Sequence, residues 1–162
     1  MKTLFIGRFQ PLHRGHLHAL RQAGQSYDLV IGVGSAETSR TADNPLTFDE
    51  RRRALENCLD SPDVRPIPDT NDDEDWMDWI EERFSVERCI SGNDHVRRLF
   101  QERGYQVEHP DYLKPEQLSG TTIRENIAAG ELWRDMVPNC CEQVLDDIDF
   151  EQRVRQSYEN DG

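Results

Sequence analysis

Residues 7 to 16 read Gly7-Arg8-Phe9-Gln10-Pro11-Leu12-His13-Arg14-Gly15-His16. His13 and His16, three apart where a helix opens, share one face of it. A helix start also presents unpaired N–H groups and the positive end of the dipole, and Arg8 adds a guanidinium. Gly7 lets backbone approach a ligand closely, and Pro11 stiffens the turn. This set is suited to anions, phosphate above all. Two histidines at this spacing could instead be half of a metal site. No third ligand lies nearby in sequence, so phosphate contact is preferred and no metal ligand is assigned. A second set follows far along the chain, Leu118-Ser119-Gly120-Thr121-Thr122-Ile123-Arg124. Serine and threonine before a helix are ordinary caps. Here Gly120 also frees the backbone, and Arg124 returns to the same face one turn later with a guanidinium able to grip two phosphate oxygens.

Three weaker signals accompany these two. Gly32-Val33-Gly34-Ser35-Ala36 is neither a GxGxxG fingerprint nor a Walker A loop, yet its small residues would let a nucleotide lie against backbone. Ser91-Gly92-Asn93 suits a tight bend. Trp76 and Trp79 share a helix face, and aromatics at that spacing are more often core than ligand contacts. His95 reads as surface, and the acidic run Pro68 to Asp75 as a solvated loop.

The elements that must position these residues alternate along the chain. Strands are expected at Thr3–Ile6, Asp28–Gly34, Val64–Pro68, Val86–Ser91 and Tyr105–His109; the prolines of the third confine it to an edge. Helices are expected at Gly15–Gln25 with Leu17, Leu20 and Ala23 inward, from a Thr47/Glu50 capping box to about Leu59, and at Asp73–Phe84 with Trp76, Trp79 and Ile80 as its apolar positions. Further helices are expected at Asp94–Arg103, at Thr121–Ala129 stopped by Gly130, and as one or two from Pro138 onward. Strands separated by helices imply a doubly wound α/β fold, a parallel sheet of about five strands, and ligands bind such sheets beyond the strands' carboxyl ends. With 162 residues the chain reads as one domain, with a helical C-terminal portion from about residue 138.

Composition excludes other classes. The net charge of −13 argues against nucleic acid as a partner. No apolar run approaches the roughly 20 residues needed to cross a bilayer, and the N-terminus has no signal-peptide core, so a cytoplasmic location without membrane partners is expected. Only Lys2 and Lys114 are lysines; the other basic residues are arginine, against 32 acids. That balance is expected of a protein kept soluble in concentrated salt, where self-repulsion is screened. Cys58, Cys89, Cys140 and Cys141 show no metal spacing, and the adjacent pair cannot supply a normal disulfide frame, so four buried reduced thiols are expected.

The string GRFQPLHRGH resembles the HxGH signature of the nucleotidylyltransferase superfamily, in particular its archaeal-type nicotinamide-nucleotide adenylyltransferases, and Ser119–Arg124 resembles the superfamily's SGTxIR motif. The likeness runs from Thr3 to about Asp149. It implies a Rossmann-like fold and adenylyl transfer from ATP to nicotinamide mononucleotide (NMN), giving NAD and pyrophosphate, with Mg²⁺ accompanying ATP. It also implies a homo-oligomer, often a hexamer. His13, His16, Arg8 and Arg124 would be catalytic, and Gly7, Phe9, Ser119, Gly120 and Thr121 would complete the ATP site. Gln10, Ser35, Arg40, Trp76, Gly92 and Asn93 would meet NMN or NAD. Arg40 stands where the family often has histidine. The alternatives are another phosphate acceptor, a non-catalytic nucleotide sensor, or a structural partner protein, the last leaving two phosphate motifs unexplained.

Overall fold

The structure is a computed structural model that describes residues 2–161. In chain order the elements are β1 (Lys2–Gly7), α1 (Arg14–Ser26), β2 (Leu29–Val33), α2 (Phe48–Cys58), β3 (Val64–Pro66), α3 (Asp73–Arg83), β4 (Val86–Ser91), α4 (Asp94–Glu102), β5 (Gln106–Glu108) and α5 (Gly120–Ala129). A 3₁₀ turn (Arg134–Met136) then leads into α6 (Asn139–Asp147) and α7 (Phe150–Asp161). The strands form one parallel sheet in the order β3-β2-β1-β4-β5. The chain winds outward from β1 in one direction and then returns to β1's other side, the α/β double winding that the alternating pattern implies.

β1 lies at the centre because both its faces are apolar. Phe5 packs into the core on one face, with Leu17, Leu20, Ile31 and Val33 and residues of α2, α5, α6 and α7. Leu4 and Ile6 pack into the other, with Val30, Ile67, Met77, Ile80 and Phe100. Alternate residues of one strand thus serve two cores. β3 is a three-residue edge strand, as its prolines require. The Thr47/Glu50 capping box starts α2, and Gly130 ends α5 in the left-handed conformation (φ 75°). The C-terminal portion holds two helices.

Two expectations need correction. Cys58 and Cys140 form a disulfide between α2 and α6, with 5.3 Å between their Cα atoms; Cys89 and Cys141 are the buried thiols, and burial pushes the Cys141 thiol up to about 12. On α3 the fully buried residues are Met77 and Ile80, and both tryptophans flank that stripe half-buried. The acidic run after β3 is exposed from Asp69 to Asp75, as expected, and Asp69 to Asp73 also line the main cleft. No helix among the described residues is long and apolar enough to cross a membrane.

Candidate active site

The cleft has a volume of about 770 Å³ and opens where β1, β2 and β4 end. Its wall includes four segments: Gly7–Gln10 with His13 and His16; Gly34 and Ser35; Ser91–Asn93; and Ser119–Thr121 with Arg124. Each follows a strand or opens a helix, the expected place for a ligand on this sheet.

His13 is the N-cap of α1. Its Nδ1 accepts from the N–H groups of Gly15 (3.0 Å) and His16 (3.3 Å). His16 Nδ1 in turn accepts from the His13 N–H at 3.2 Å. An imidazole that accepts at Nδ1 carries its neutral-form proton on Nε2. Burial pushes His13 down to about 4; burial and then the neighbouring His13 hold His16 well below its usual value. The rings stack with centroids 3.7 Å apart. Both side chains are therefore neutral Nε2–H donors at pH 7. The formal positive charge of the cradle comes from arginine.

Arg8 and Arg124 supply it. Arg8 is exposed; its guanidinium reaches Asn44 Oδ1 at 3.4 Å and pairs with no carboxylate among the described residues. Arg124 is only 3 % exposed. Its Nη1 donates to the Gln10 carbonyl at 2.7 Å and its Nη2 to Thr121 Oγ1 at 3.3 Å, while its buried Nε–H meets no acceptor. Burial lowers its pKa and so does the nearby positive charge of Arg8, against the opposing influence of Tyr158 and Asp43. Two guanidiniums that repel each other across a cleft favour an anion between them. Gly120 permits the approach: a Cβ there would lie 2.8 Å from Arg124 Nη1 and 3.1 Å from the Gln10 oxygen. Segments 114 residues apart thus close one cradle.

The other expected residues divide. Ser119 Oγ caps α5, and Thr121 lines the cleft. Gly7 and Phe9 form floor, the Phe9 ring lying where a Gly7 Cβ would stand. Ser35 lines the cleft and bonds Asp69 Oδ1 at 3.1 Å. Trp76 forms part of the wall, its Nε1–H donating to the Pro68 carbonyl, whereas Trp79 lies outside under the Arg83 guanidinium. Gly92 abuts the Tyr112 ring, and the Asn93 amide oxygen caps α4. Gln10 borders the cleft, but its side-chain amide is fastened both ways to the Leu46 backbone. Arg40 is exposed, with φ 58°, and is not among the cleft-lining residues. His95 is exposed as expected and sits at the rim, paired with Asp73 at 2.9 Å.

Sequence reasoning passed over Arg51 and Tyr112. Tyr112 sits edge-on to His16, and burial pushes its hydroxyl up to about 12; nothing in its local sequence marks it. Arg51 was detectable. It shares helical spacing with Ala54, Leu55 and Cys58, the inward stripe of α2, and it is fully buried. Among the described residues no cluster of three or more His, Cys, Asp or Glu could hold a metal ion.

The cytidylyltransferase-like family matches residues 4–126. The chain is 36 % identical over 168 residues to a nicotinamide-nucleotide adenylyltransferase of Picrophilus torridus, covering 99 % of each. It is 39 % identical over 165 residues to that of Pyrococcus horikoshii, covering 96 % of this chain and 88 % of the relative. Among solved structures, a bifunctional NMN adenylyltransferase/ADP ribose pyrophosphatase from Francisella tularensis, complexed with AMP and a manganese ion, superimposes with a TM-score of 0.77 at 22 % identity. That match covers 99 % of this chain and 54 % of the larger one, and it supports the fold.

Proposed function

We propose how this chain works from a plain premise: it belongs to the cytidylyltransferase-like family and, within it, to the nicotinamide-nucleotide adenylyltransferases. The reaction is adenylyl transfer from ATP to NMN, giving NAD and pyrophosphate. An oxygen of the NMN 5′-phosphate forms a bond to the α-phosphorus of ATP, and the bond from that phosphorus to the bridging oxygen of pyrophosphate breaks. A phosphate monoester has its second pKa near about 6, so the attacking group is already ionised at neutral pH and no general base is required. The protein's task is alignment and charge stabilisation.

In our assignment the Nε2–H groups of His13 and His16 donate to α- and β-phosphate oxygens. Arg124, with Thr121 beside it, holds the β- and γ-phosphates. Arg8 neutralises charge on the reacting phosphates. Trp76 flanks the nicotinamide ring, with Ser35, Gly92 and Asn93 around the nucleotides. A divalent ion would arrive on ATP's phosphates, held by them and by water. Mg²⁺ is our choice, and it would supply charge neutralisation of the triphosphate. We assign neither Gln10, whose amide is engaged, nor Arg40, which stands outside the cleft, to the mononucleotide. The acid-rich, lysine-poor composition supports an enzyme of a salt-laden cytoplasm.

The observation that carries these roles is the 2.7 Å bond from Arg124 to the Gln10 carbonyl, which brings the late guanidinium to the early imidazoles. The test is purified protein with ATP, Mg²⁺ and NMN, followed by dinucleotide formation, alongside pantetheine phosphate, flavin mononucleotide and polyol phosphates as competing acceptors. NAD and one equivalent of pyrophosphate are expected. ATP binding without pyrophosphate release would instead make the chain a nucleotide sensor.

A further inference from the structure

Beneath the cleft floor lies a buried cation to which phosphate binding assigns no part. Arg51 is 1 % exposed, and it is not among the cleft-lining residues. Its Nη1 donates to the carbonyls of Gly34 (2.8 Å) and Arg8 (3.1 Å), its Nη2 to those of Ser35 (3.2 Å) and Ala36 (3.4 Å), and its Nε to that of Thr47 (3.1 Å). All five acceptors are main-chain oxygens. Glu37 and Glu50 act on its charge without touching it. Burial pushes it down to about 10, so it remains a cation at neutral pH.

The direction of those carbonyls has a consequence on the other side of the peptide planes. The Arg8–Phe9 and Gly34–Ser35 units are trans, so each N–H points opposite to its C=O. With the carbonyls drawn down to Arg51, the N–H groups of Phe9 and Ser35 turn away from it, towards the cleft that both residues line. Neither N–H donates to a described residue. Phe9 (φ 54°) and Ser35 (φ 47°) both lie in the left-handed region. Residues with side chains hold that conformation when their surroundings fix it.

We propose that Arg51 is a positioning residue for adenylyl transfer: from below the floor it holds these two peptide units so that the Phe9 and Ser35 N–H groups face the cleft as donors to a phosphate. The assignment rests on the reaction proposed above. The phosphate is that of the mononucleotide or of ATP, and the test separates the two.

Lysine at position 51 keeps the charge but concentrates it at one point, so it does not span five carbonyls. Calorimetric binding to wild type and Arg51→Lys would compare NMN with nicotinamide riboside, and ATP with adenosine. The expected result is a tenfold or greater loss of affinity for one phosphate-bearing ligand, with its phosphate-free counterpart changed less than twofold. Which pair shows the split identifies the phosphate. An equal loss for both members of each pair, as a merely structural role predicts, would overturn the proposal, and so would no loss at all. If Arg51→Lys does not fold, ¹⁵N-labelled wild-type protein decides: the Phe9 and Ser35 amide resonances should move with NMN or ATP and stay put with the riboside and adenosine. Amides unmoved by all four ligands would overturn it. Wild type that shows these responses yet makes no dinucleotide would refute the reaction and leave the positioning of the amides standing.

Discussion

One ring nitrogen of His13 caps α1, and the other is left for a ligand. The two roles can be separated. Asparagine offers an oxygen for the cap but nothing in place of Nε2–H. His13→Asn should stay within about 1 kcal/mol of wild-type stability and lose about 10²–10³ in turnover, by analogy with removal of an oxyanion donor; denaturant titration and steady-state rates read the two. The same burial sets a pH dependence. The folded pKa of about 4 lies below the ordinary histidine value of about 6.5, so the unfolded chain takes up the proton first. The stability contribution is present above about pH 6.5 and is lost as pH falls towards 4, roughly 3 kcal/mol in all. His13→Asn should flatten that window when unfolding is followed from pH 7 to 4. A similar separation applies to the tryptophans. A cationic nicotinamide ring over an indole gains about 0.5–2 kcal/mol, so Trp76→Ala should raise the KM for NMN by about 2- to 30-fold. Trp79→Ala, outside the cleft, should leave it unchanged, and equal effects would reject Trp76 as the stacking partner.

Elements were legible where one local cause sets them. β1 and β2 are apolar on both faces, α2 carries its capping box, α5 ends at a glycine, and prolines force β3 to the edge. What stayed hidden depends on elements meeting across the fold. The two segments that meet in the cleft, around His13 and around Arg124, could be picked out from their own residues, but Arg51 bonds carbonyls of two other segments, and Tyr112 meets the site only because its loop folds back over Gly92. Arg40 could be matched by position within a motif, yet its loop carries it outside the cleft lining. The Cys58–Cys140 bond was missed for the same reason: the adjacent Cys140 and Cys141 discouraged pairing, while the α2–α6 packing that brings Cys58 near was not visible in spacing. That bond closes a loop of 82 residues, which chain entropy values at about 4 kcal/mol. Guanidinium unfolding with and without reductant should differ by that order, and Cys140→Ser should match the reduced protein. KM values should hold, because neither cysteine lines the cleft. Identical curves would mean that the pair stays open in solution.

At the scale of the molecule, a net charge of −13 surrounds a cleft built for polyanions. At about 0.1 M salt the Debye length is about 10 Å, so surface carboxylates repel one another and oppose the approach of ATP and NMN. Near about 1 M it falls to about 3 Å. Both long-range penalties then fade, while short contacts persist, such as the capping bonds of His13 and the carbonyls around Arg51. The surface ion pairs alter this little. Several join exposed arginines to exposed acids, as in Arg53–Asp147 and Arg134–Asp146, and such pairs contribute about 0–1 kcal/mol each. Stability and kcat/KM should therefore both rise with KCl into the molar range, the kinetic gain entering through the KM of the two anionic substrates more than through kcat. Thermal melts and initial rates across a KCl series test both halves. A falling kcat/KM would mean that attraction by Arg8 and Arg124 reaches beyond the cleft and outweighs the surface field, and the acid excess would then have no part in adapting the enzyme to salt.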